Sequence, residues 1–456
     1  MNEKPVWLPA DQQRHPPLRG RIQAEAVVVG GGLCGVTTAL LLARGGIRVA
    51  LLEADRLGSG ASGQSLGLAT VQHGLIYSRL QARWGREVTQ AYAASQTAAR
   101  GAMAALIQEL GILCGFQAQD SSLAAMSREE ERLLIMEEKA SQAAGLAAAM
   151  TAGGGCPFPA RCLLTIPGQA MLDPIAYLQG LADAYLALGG QIYEHSRVVA
   201  ADTGSVATDT GSVQASFVIH ATHFPVLGFP GWYFLRLGQR RSYAAALSGA
   251  PDFQGMYLQA EPEGFALRRH GGMTLLKCFS YPCGQETRVD HGALIKSAAA
   301  LLFPEAELAA IWHGQDVFSA DGLPCAGPFS SRTPTHFIAA GFGGFGITGS
   351  MAAAQAVSAR ILGAPPGELS IYDPSRPMRH SVFPVLKAGG KQTVTFFSGL
   401  ARHRAPRCPH MGCKLRFVPS TASWDCPCHG SRFDSIGRIE NGPAVRPARI
   451  RNKNRR

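Results

Sequence analysis

Two groups of residues have types and spacings that could do chemistry. Near the C-terminus, Cys408-Pro-His410 gives C-x-H, and after 15 residues Cys426-Pro-Cys-His429 gives C-x2-H. Two thiolates and two imidazoles could hold a zinc ion or a [2Fe–2S] cluster with mixed ligands. Two further cysteines, Cys413 and Cys428, stand beside this set, and a zinc site does not need them. Near the N-terminus, Gly30, Gly32 and Gly35 make G-x-G-x-x-G. The first glycine permits a tight turn, the second lets backbone reach a pyrophosphate, and the third allows close helix–strand packing. Glu53 follows Gly30 by 23 positions, where a carboxylate can accept from ribose hydroxyls. A glycine-rich turn without a ligand is the plain alternative. Strand, helix and acidic residue in register argue against it, and the pattern points to a dinucleotide without separating FAD from NAD.

The elements that must position these residues are readable around them. Ala26–Gly30 (AVVVG) is a short apolar run suited to a buried parallel strand, Thr37–Arg44 is helix-compatible, and Arg48–Glu53 (RVALLE) closes a β-α-β unit. Tyr77 to about Gly111 and Ser127 to about Met150 are helical in composition. Asp173-Pro174 starts another helix, with Asp as N-cap and Pro in the first turn, ending at Gly189-Gly190. Strands are expected from Gln191 to Thr222 and in a second sheet from Trp232 to about Phe279. Lys296–Leu302 and Ile347–Leu362 read as helices, and Ala364–Pro377, with four prolines, reads as a linker.

Composition bounds the function. A chain of 456 residues predicts two or three domains. Hydrophobic content of 46% with 16% charged residues excludes a disordered or fibrous protein. No run reaches the roughly 18 consecutive apolar residues of a membrane span. The opening residues are polar and lack the apolar centre of a secretion signal, so a cytoplasmic address is expected. The net charge of +11 is unevenly spread: Arg376–Arg456 holds 17 Lys+Arg and three Asp+Glu, leaving the remainder slightly acidic. Four of the 11 cysteines fall in this basic appendix, and the others are scattered as free thiols would be. The tail Arg449–Arg456 reads as a solvated end, and no nucleic-acid partner is expected.

Beyond the glycine motif, Arg56-Leu57-Gly58-Ser59-Gly60-Ala61-Ser62-Gly63 is a second Gly/Ser-rich loop, soon followed by Gln72-His73-Gly74. This run resembles the D-amino-acid oxidase (DAO) family of FAD-dependent amine oxidoreductases. Phe217–Thr222 (FVIHAT), Asp321-Gly322-Leu323-Pro324 and Gly341-Phe342-Gly343 agree with it, over roughly residues 22–375. The resemblance implies FAD held by Gly30, Gly32, Gly35, Glu53, Ser59, Ser62, Asp321, Gly341 and Gly343. It also implies a helix after Gly343 whose positive end faces the flavin. His73 falls where the family has a histidine near the ring, beside the plainer reading of a loop histidine. Arg240, Arg241 and Arg268 fall where members use an arginine to clasp a substrate carboxylate, although surface arginines on a sheet would look the same.

Cys408-Pro-His-Met-Gly-Cys413 and Cys426-Pro-Cys-His-Gly-Ser-Arg-Phe433, with Asn441-Gly442-Pro443-Ala444 downstream, resemble a Rieske module. The resemblance implies Cys408 and Cys426 on one iron, His410 and His429 on the other, and a Cys413–Cys428 disulfide. Two Fe³⁺, two sulfides and two thiolates sum to zero charge, so reduction is easier than at a four-thiolate cluster. Rieske potentials of about −150 to +300 mV, against about −400 mV for plant-type clusters, reflect this.

The expected fold class is therefore an α/β (α+β) body followed by a small all-β Rieske domain. The body combines a Rossmann-like FAD-binding domain (about 22–90, 150–230 and 305–375) with an inserted antiparallel-sheet substrate domain (about 231–300). The Rieske domain spans 376–456 and is short before its first ligand loop. Both halves resemble flavoprotein–Rieske fusions of bacteria, including Gln191–Arg197 and Val218–Pro225. The implied activity is hydride transfer from an amine or amino acid to FAD. Electrons would pass singly to the cluster and on to an unknown acceptor, in a dehydrogenase acting on CH–NH groups. Two alternatives stay open from sequence: a basic zinc-ribbon module that binds nucleic acid, and a cluster with a structural or redox-sensing role.

Overall fold

A computed structural model describes residues 4–7, 15–226, 230–261, 264–284, 289–376 and 406–450. Ala26–Val29 is buried at every position and pairs in parallel with Val49–Leu52 on one side and Phe217–His220 on the other. Burial on both faces selects apolar, β-branched residues, which is the composition seen. Gln191–Tyr193 extends this sheet at one edge. Thr333–Ala340 and the antiparallel Cys325–Ser330 complete six strands at the other. Helices Leu33–Arg44 and Gly346–Ile361 cover the sheet and pack on one another, their Val, Ala and Leu side chains sharing one apolar cluster.

The turn between Ala26–Val29 and its helix tolerates no side chain at two positions. Gly30 has φ +114°, and a Cβ there would lie 2.3 Å from the Ala221 carbonyl oxygen. At Gly35 a Cβ would meet the Gly30 carbonyl oxygen at 1.9 Å. The helix Pro174–Ala187 has Asp173 as its cap, the carboxylate accepting from the N–H groups of Ile175 and Ala176.

A second, nine-stranded sheet carries Glu307–Ser319, Leu237–Ser248, Met273–Pro282, Ala266–His270 and Met256–Gln259 in that order. Gln117–Ala125, Cys162–Met171 and Leu68–Ala69 continue it, with Ala149–Ala152 beside Cys162–Met171. It thus reaches well outside the span 231–300 expected from sequence. Gln117–Ala125 and Cys162–Met171 contain Gln, Asp, Ser, Pro and Gly without clean alternation; they are strands because a long partner pairs with them.

The proline-rich segment expected as a linker is part of the body as far as Arg376. Gly367–Tyr372 forms a 3₁₀ turn, and the buried Tyr372 hydroxyl meets Ser95 Oγ at 2.6 Å and Gln96 Nε2 at 2.7 Å. Arg376 closes on Asp321 through Nε–Oδ2 at 2.7 Å. Burial opposes ionisation of Asp321, yet Arg376 outweighs it and holds the carboxyl below its ordinary value. Residues 377–405, including the short approach to the first ligand loop, lie outside the described residues. Beyond them, Arg416–Val418, Ser423–Asp425, Arg432–Phe433 and Ile439–Asn441 form an antiparallel meander around the buried Phe433.

Gly35→Ala should force the first helix off its strand, because the clashing atom is backbone. The purified variant is expected to retain about a tenth or less of the wild-type flavin, read from its visible absorption.

Candidate functional site

A cavity of about 1500 Å³ opens at the glycine turn. Gly30, Gly32, Glu53, Ser59, Ser62, Asp321, Gly341 and Gly343 all line it, and Gly35 packs behind the turn. The helices Leu33–Arg44 and Gly346–Ile361 both begin at its wall, with no acidic residue in either first turn. Their free N–H groups and positive ends suit phosphate or an electron-rich ring. Ser62 Oγ accepts from Leu33 N–H at 3.0 Å, tying the second glycine-rich loop to the first. Glu53 accepts from the N–H groups of Gly31 (2.6 Å) and Asp55 (2.8 Å), while burial pushes its pKa up. The donors, the glycine cradle and the carboxylate fit a dinucleotide, and FAD when bound supplies a hydride acceptor. Asp321 shares the wall with both carboxylate oxygens already taken by Arg376.

His73 also lines the cavity, stacked on Phe345 at 4.5 Å between ring centroids. Its Nε2 lies 2.8 Å from the Thr70 carbonyl and its Nδ1 2.7 Å from the Tyr92 hydroxyl. A carbonyl can only accept, so the proton is assigned to Nε2, and Nδ1 accepts from Tyr92. Burial pushes the ring's pKa down to about 4, keeping it neutral near pH 7.

The arginines expected to clasp a substrate do not line the cavity. Arg268 donates to the carbonyls of Gly67 and Leu172, each at 3.0 Å, with its guanidinium over the Trp7 ring. Arg240 donates to the Ser280 hydroxyl and carbonyl, and Arg241 turns toward the C-terminal module. A buried guanidinium must find acceptors, and backbone carbonyls supplied them here. His73, Arg240 and Arg268 therefore engage three separate sets of partners. What sequence reading missed is Lys277, Asp316, Ser242 and His223, which do line the cavity. Lys277 Nζ stands 2.9 Å from Asp316 Oδ2. Burial opposes the charge on Asp316, and Lys277 nonetheless holds its carboxyl below the ordinary value. The available signal was a lone lysine inside the apolar run Met273–Phe279, since an unpaired charge is not left in a buried strand.

The second site lies in the C-terminal meander. Cys408, Cys413, Cys426 and Cys428 form its core with Phe433, all four as thiols. The rings of His410 and His429 stand 5.1 Å apart at 89°. Nδ1 of His410 and both ring nitrogens of His429 are buried without a hydrogen-bond partner, as ligand atoms awaiting a metal would be. Burial pushes His410 down to about 4 and His429 to about 3, so both rings are neutral and able to ligate. A hydrogen bond from the Cys426 thiol pulls Cys408 down to about 7 despite burial, helped by the N–H groups of His410 and Met411 and the Ser431 hydroxyl. The sulfurs of Cys413, Cys426 and Cys428 lie within 4.8 Å of one another, with no Cys413–Cys428 bond formed. This donor set fits a [2Fe–2S] cluster, which when bound takes up and releases single electrons.

The family model for FAD dependent oxidoreductases (DAO) matches residues 25–360. The chain belongs to the DAO family. Residues 374–452 match the Rieske [2Fe-2S] domain, so the donors at Cys408 to His429 belong to an iron–sulfur module and the zinc reading lapses. YhfW of Bacillus subtilis (strain 168) is 26% identical over 96% of this chain and 95% of its own. Glycine oxidase from Geobacillus kaustophilus has a similar fold, with a TM-score of 0.67 and 22% identity, over 78% of this chain and 99% of that one. L-proline dehydrogenase from P. horikoshii has a TM-score of 0.66 and 17% identity, over 79% and 98%. No helix among the described residues is long and apolar enough to cross a membrane.

The Rieske module is seated on the DAO body through buried polar contacts. Arg241 NH2 meets Asp425 Oδ2 at 2.5 Å, with the two side chains 0% and 1% exposed. Gln239 Nε2 donates to the His429 carbonyl (2.8 Å), and Gln315 Nε2 to the Gly430 carbonyl (3.0 Å) and to Gln239 Oε1 (2.6 Å). Gly430 is in the left-handed region, where a side chain would also strike Gln239. Phe224 and Phe234 of the body flank the His429 ring. Ile439, Glu440, Asn441 and Gly442 of the module reach round to line the same cavity as the glycine turn.

Arg241→Met would leave the Asp425 carboxylate buried without its counter-ion. It is expected to cost about 3–5 kcal/mol in denaturant unfolding, whereas Arg241→Met combined with Asp425→Leu should cost less than the single change.

Proposed function

We propose that the chain oxidises an amine or amino acid at a CH–NH group. Its two electrons leave one at a time by way of the Rieske module to a separate acceptor. The observation that carries this reading is the shared cavity: one cavity is lined by the dinucleotide turn, by the nine-stranded sheet and by Ile439–Gly442 of the module. His429 is turned into the body between Phe224 and Phe234, whereas His410 is only half-buried and stands beside the exposed Met411. That asymmetry supports an inward face for electrons arriving and an outward face for electrons leaving. Glycine oxidase and L-proline dehydrogenase, two fold neighbours, support a C–N substrate by their names.

The chain's own residues would divide the work. The glycine turn and Glu53 hold the dinucleotide, and the helix starting at Gly346 presents its positive end to the reactive part of the cavity. His73, neutral and held from both nitrogens, fixes the wall beside Phe345. A one-electron outlet makes a dehydrogenase the expected behaviour. The reading places the enzyme in the cytoplasm, in keeping with seven body cysteines that are all thiols.

His410→Ala tests the outlet. In a single turnover of the full chain with ferricenium as acceptor, reduced flavin should reoxidise at least about tenfold more slowly, with flavin content unchanged. Unaltered reoxidation, together with stoichiometric peroxide from the native chain in air, would sink the proposal.

A further inference from the structure

Lys277 and Asp316 belong to the strands Met273–Pro282 and Glu307–Ser319, which flank Leu237–Ser248 on its two sides. Their ion pair stands in the cavity wall, each side chain about one-quarter exposed (24% and 23%). Such a pair is a weak device for stability, because apolar residues of similar size would pack there without the cost of desolvating two charges. Two further polar groups line the same cavity with nothing to bond. Ser242 Oγ lies on the strand between the pair, in a residue 4% exposed, and His223 Nε2 is likewise buried and without a partner. His223 is held at φ +65°, a left-handed conformation that a non-glycine residue rarely adopts and that concentrates at functional sites. Asp316 also faces the turn ahead of helix Gly346–Ile361: a Cβ on Gly344 would come to 3.7 Å from its Oδ2. The pair therefore borders the part of the cavity where that helix begins.

We infer that Lys277 and Asp316 form the subsite for a zwitterionic amino acid, its carboxylate at Lys277 and its amino group at Asp316, with Ser242 and His223 as hydrogen-bond partners. The charge balance selects this class. The pair sums to zero, and a lone carboxylate or a lone ammonium entering the cavity would satisfy one member and strand the other. A zwitterion supplies both charges on adjacent positions, about 3 Å apart, close to the separation of the existing pair, so each protein charge exchanges one opposite partner for another. Of the wall's three arginines, Arg79 is exposed and interacts with the Glu137 carboxylate, Arg83 donates to the Ala320 carbonyl, and Arg197 stands by Glu53 at the dinucleotide end. The inference rests on the proposed oxidation of amines or amino acids and narrows its substrate.

The test uses the full chain with FAD bound, reading dissociation constants from the perturbed flavin spectrum without oxygen. Three probes share one ring and differ in charge: L-proline, pyrrolidine and cyclopentanecarboxylate. Glycine, methylamine and acetate form a smaller set. In at least one set, the zwitterion should bind at least about tenfold more tightly than either single-charge probe. Lys277→Met and Asp316→Asn should each weaken that zwitterion by about tenfold or more, Ser242→Ala by a few-fold, and Lys277→Arg should largely preserve it. Flavin content and thermal midpoint show whether each variant is folded, and Ser242→Ala carries the test if the charge variants are not. Single-charge probes binding as tightly as the zwitterions, or folded variants with unchanged affinity, would overturn the subsite. If those results came while amines still reduced the flavin, the oxidation reading would stand alone. Variant-sensitive zwitterion binding without any flavin reduction would do the reverse, keeping the subsite and removing the reading.

Discussion

A guanidinium and a carboxylate shut away from water, Arg241 on the long strand Leu237–Ser248 and Asp425 on the Rieske meander, set the relation between the two halves of this molecule. Bringing both charges out of solvent is costly, and their attraction offsets that cost only in one close geometry. A contact of this kind adds little net stability but tolerates little displacement. Around it, Gln239 and Gln315 bond to the carbonyls of His429 and Gly430, the loop that carries one of the histidines proposed to hold the cluster. Gly430 is required there because its backbone is left-handed and Gln239 fills the space of a side chain. The ligand loop is thus fixed from the body side by backbone contacts, independently of any metal.

The same economy of buried charge runs through the cavity. Asp321 is met by Arg376 and Asp316 by Lys277, while Arg268, outside the wall, is met by two backbone carbonyls. Burial keeps His73 neutral and pushes the pKa of His223 down against the pull of Asp316. A wall in which Asp316 and Asp321 are already compensated leaves more of the local field to the charges of its ligands. It also explains why the arginines picked out by sequence are not in the wall. A guanidinium with five donors is most easily buried where carbonyls are plentiful, and strand ends and loops such as Gly67, Leu172 and Ser280 offer them.

The parts legible in sequence were those fixed by neighbours along the chain. The glycine turn, the Asp173 cap and the C-x-H and C-x2-H loops are short-range constructions, in which residue type and spacing determine local geometry. The strands Gln117–Ala125 and Cys162–Met171 are not of that kind: their composition is indifferent, and pairing with each other and with distant strands makes them. The segment before Arg376 looked like a linker because prolines exclude regular helix, yet Tyr372 and Arg376 anchor it with buried bonds that no local pattern announces. Lys277 and Asp316 meet across an intervening strand, 39 positions apart in sequence. Only the register of three strands brings them together, so no motif could have named them.

The two histidines of the cluster site show what fixed seating does to a symmetric donor set. Here Phe224 and Phe234 cover His429, while the loop of His410 keeps the exposed Met411 and Arg407 at its edge. Electron transfer weakens steeply with distance, so a module held in one orientation favours one inward path and one outward path, where a freely tethered module would average over many. In the proposed route that orientation also matters for sign. The outward loop belongs to the strongly basic part of the chain, and the inward one rests on a body that is slightly acidic overall. In that route, charge attraction between the halves works with the Arg241–Asp425 contact, and exposed cations of the module such as Arg407 would bias encounter toward an acidic acceptor.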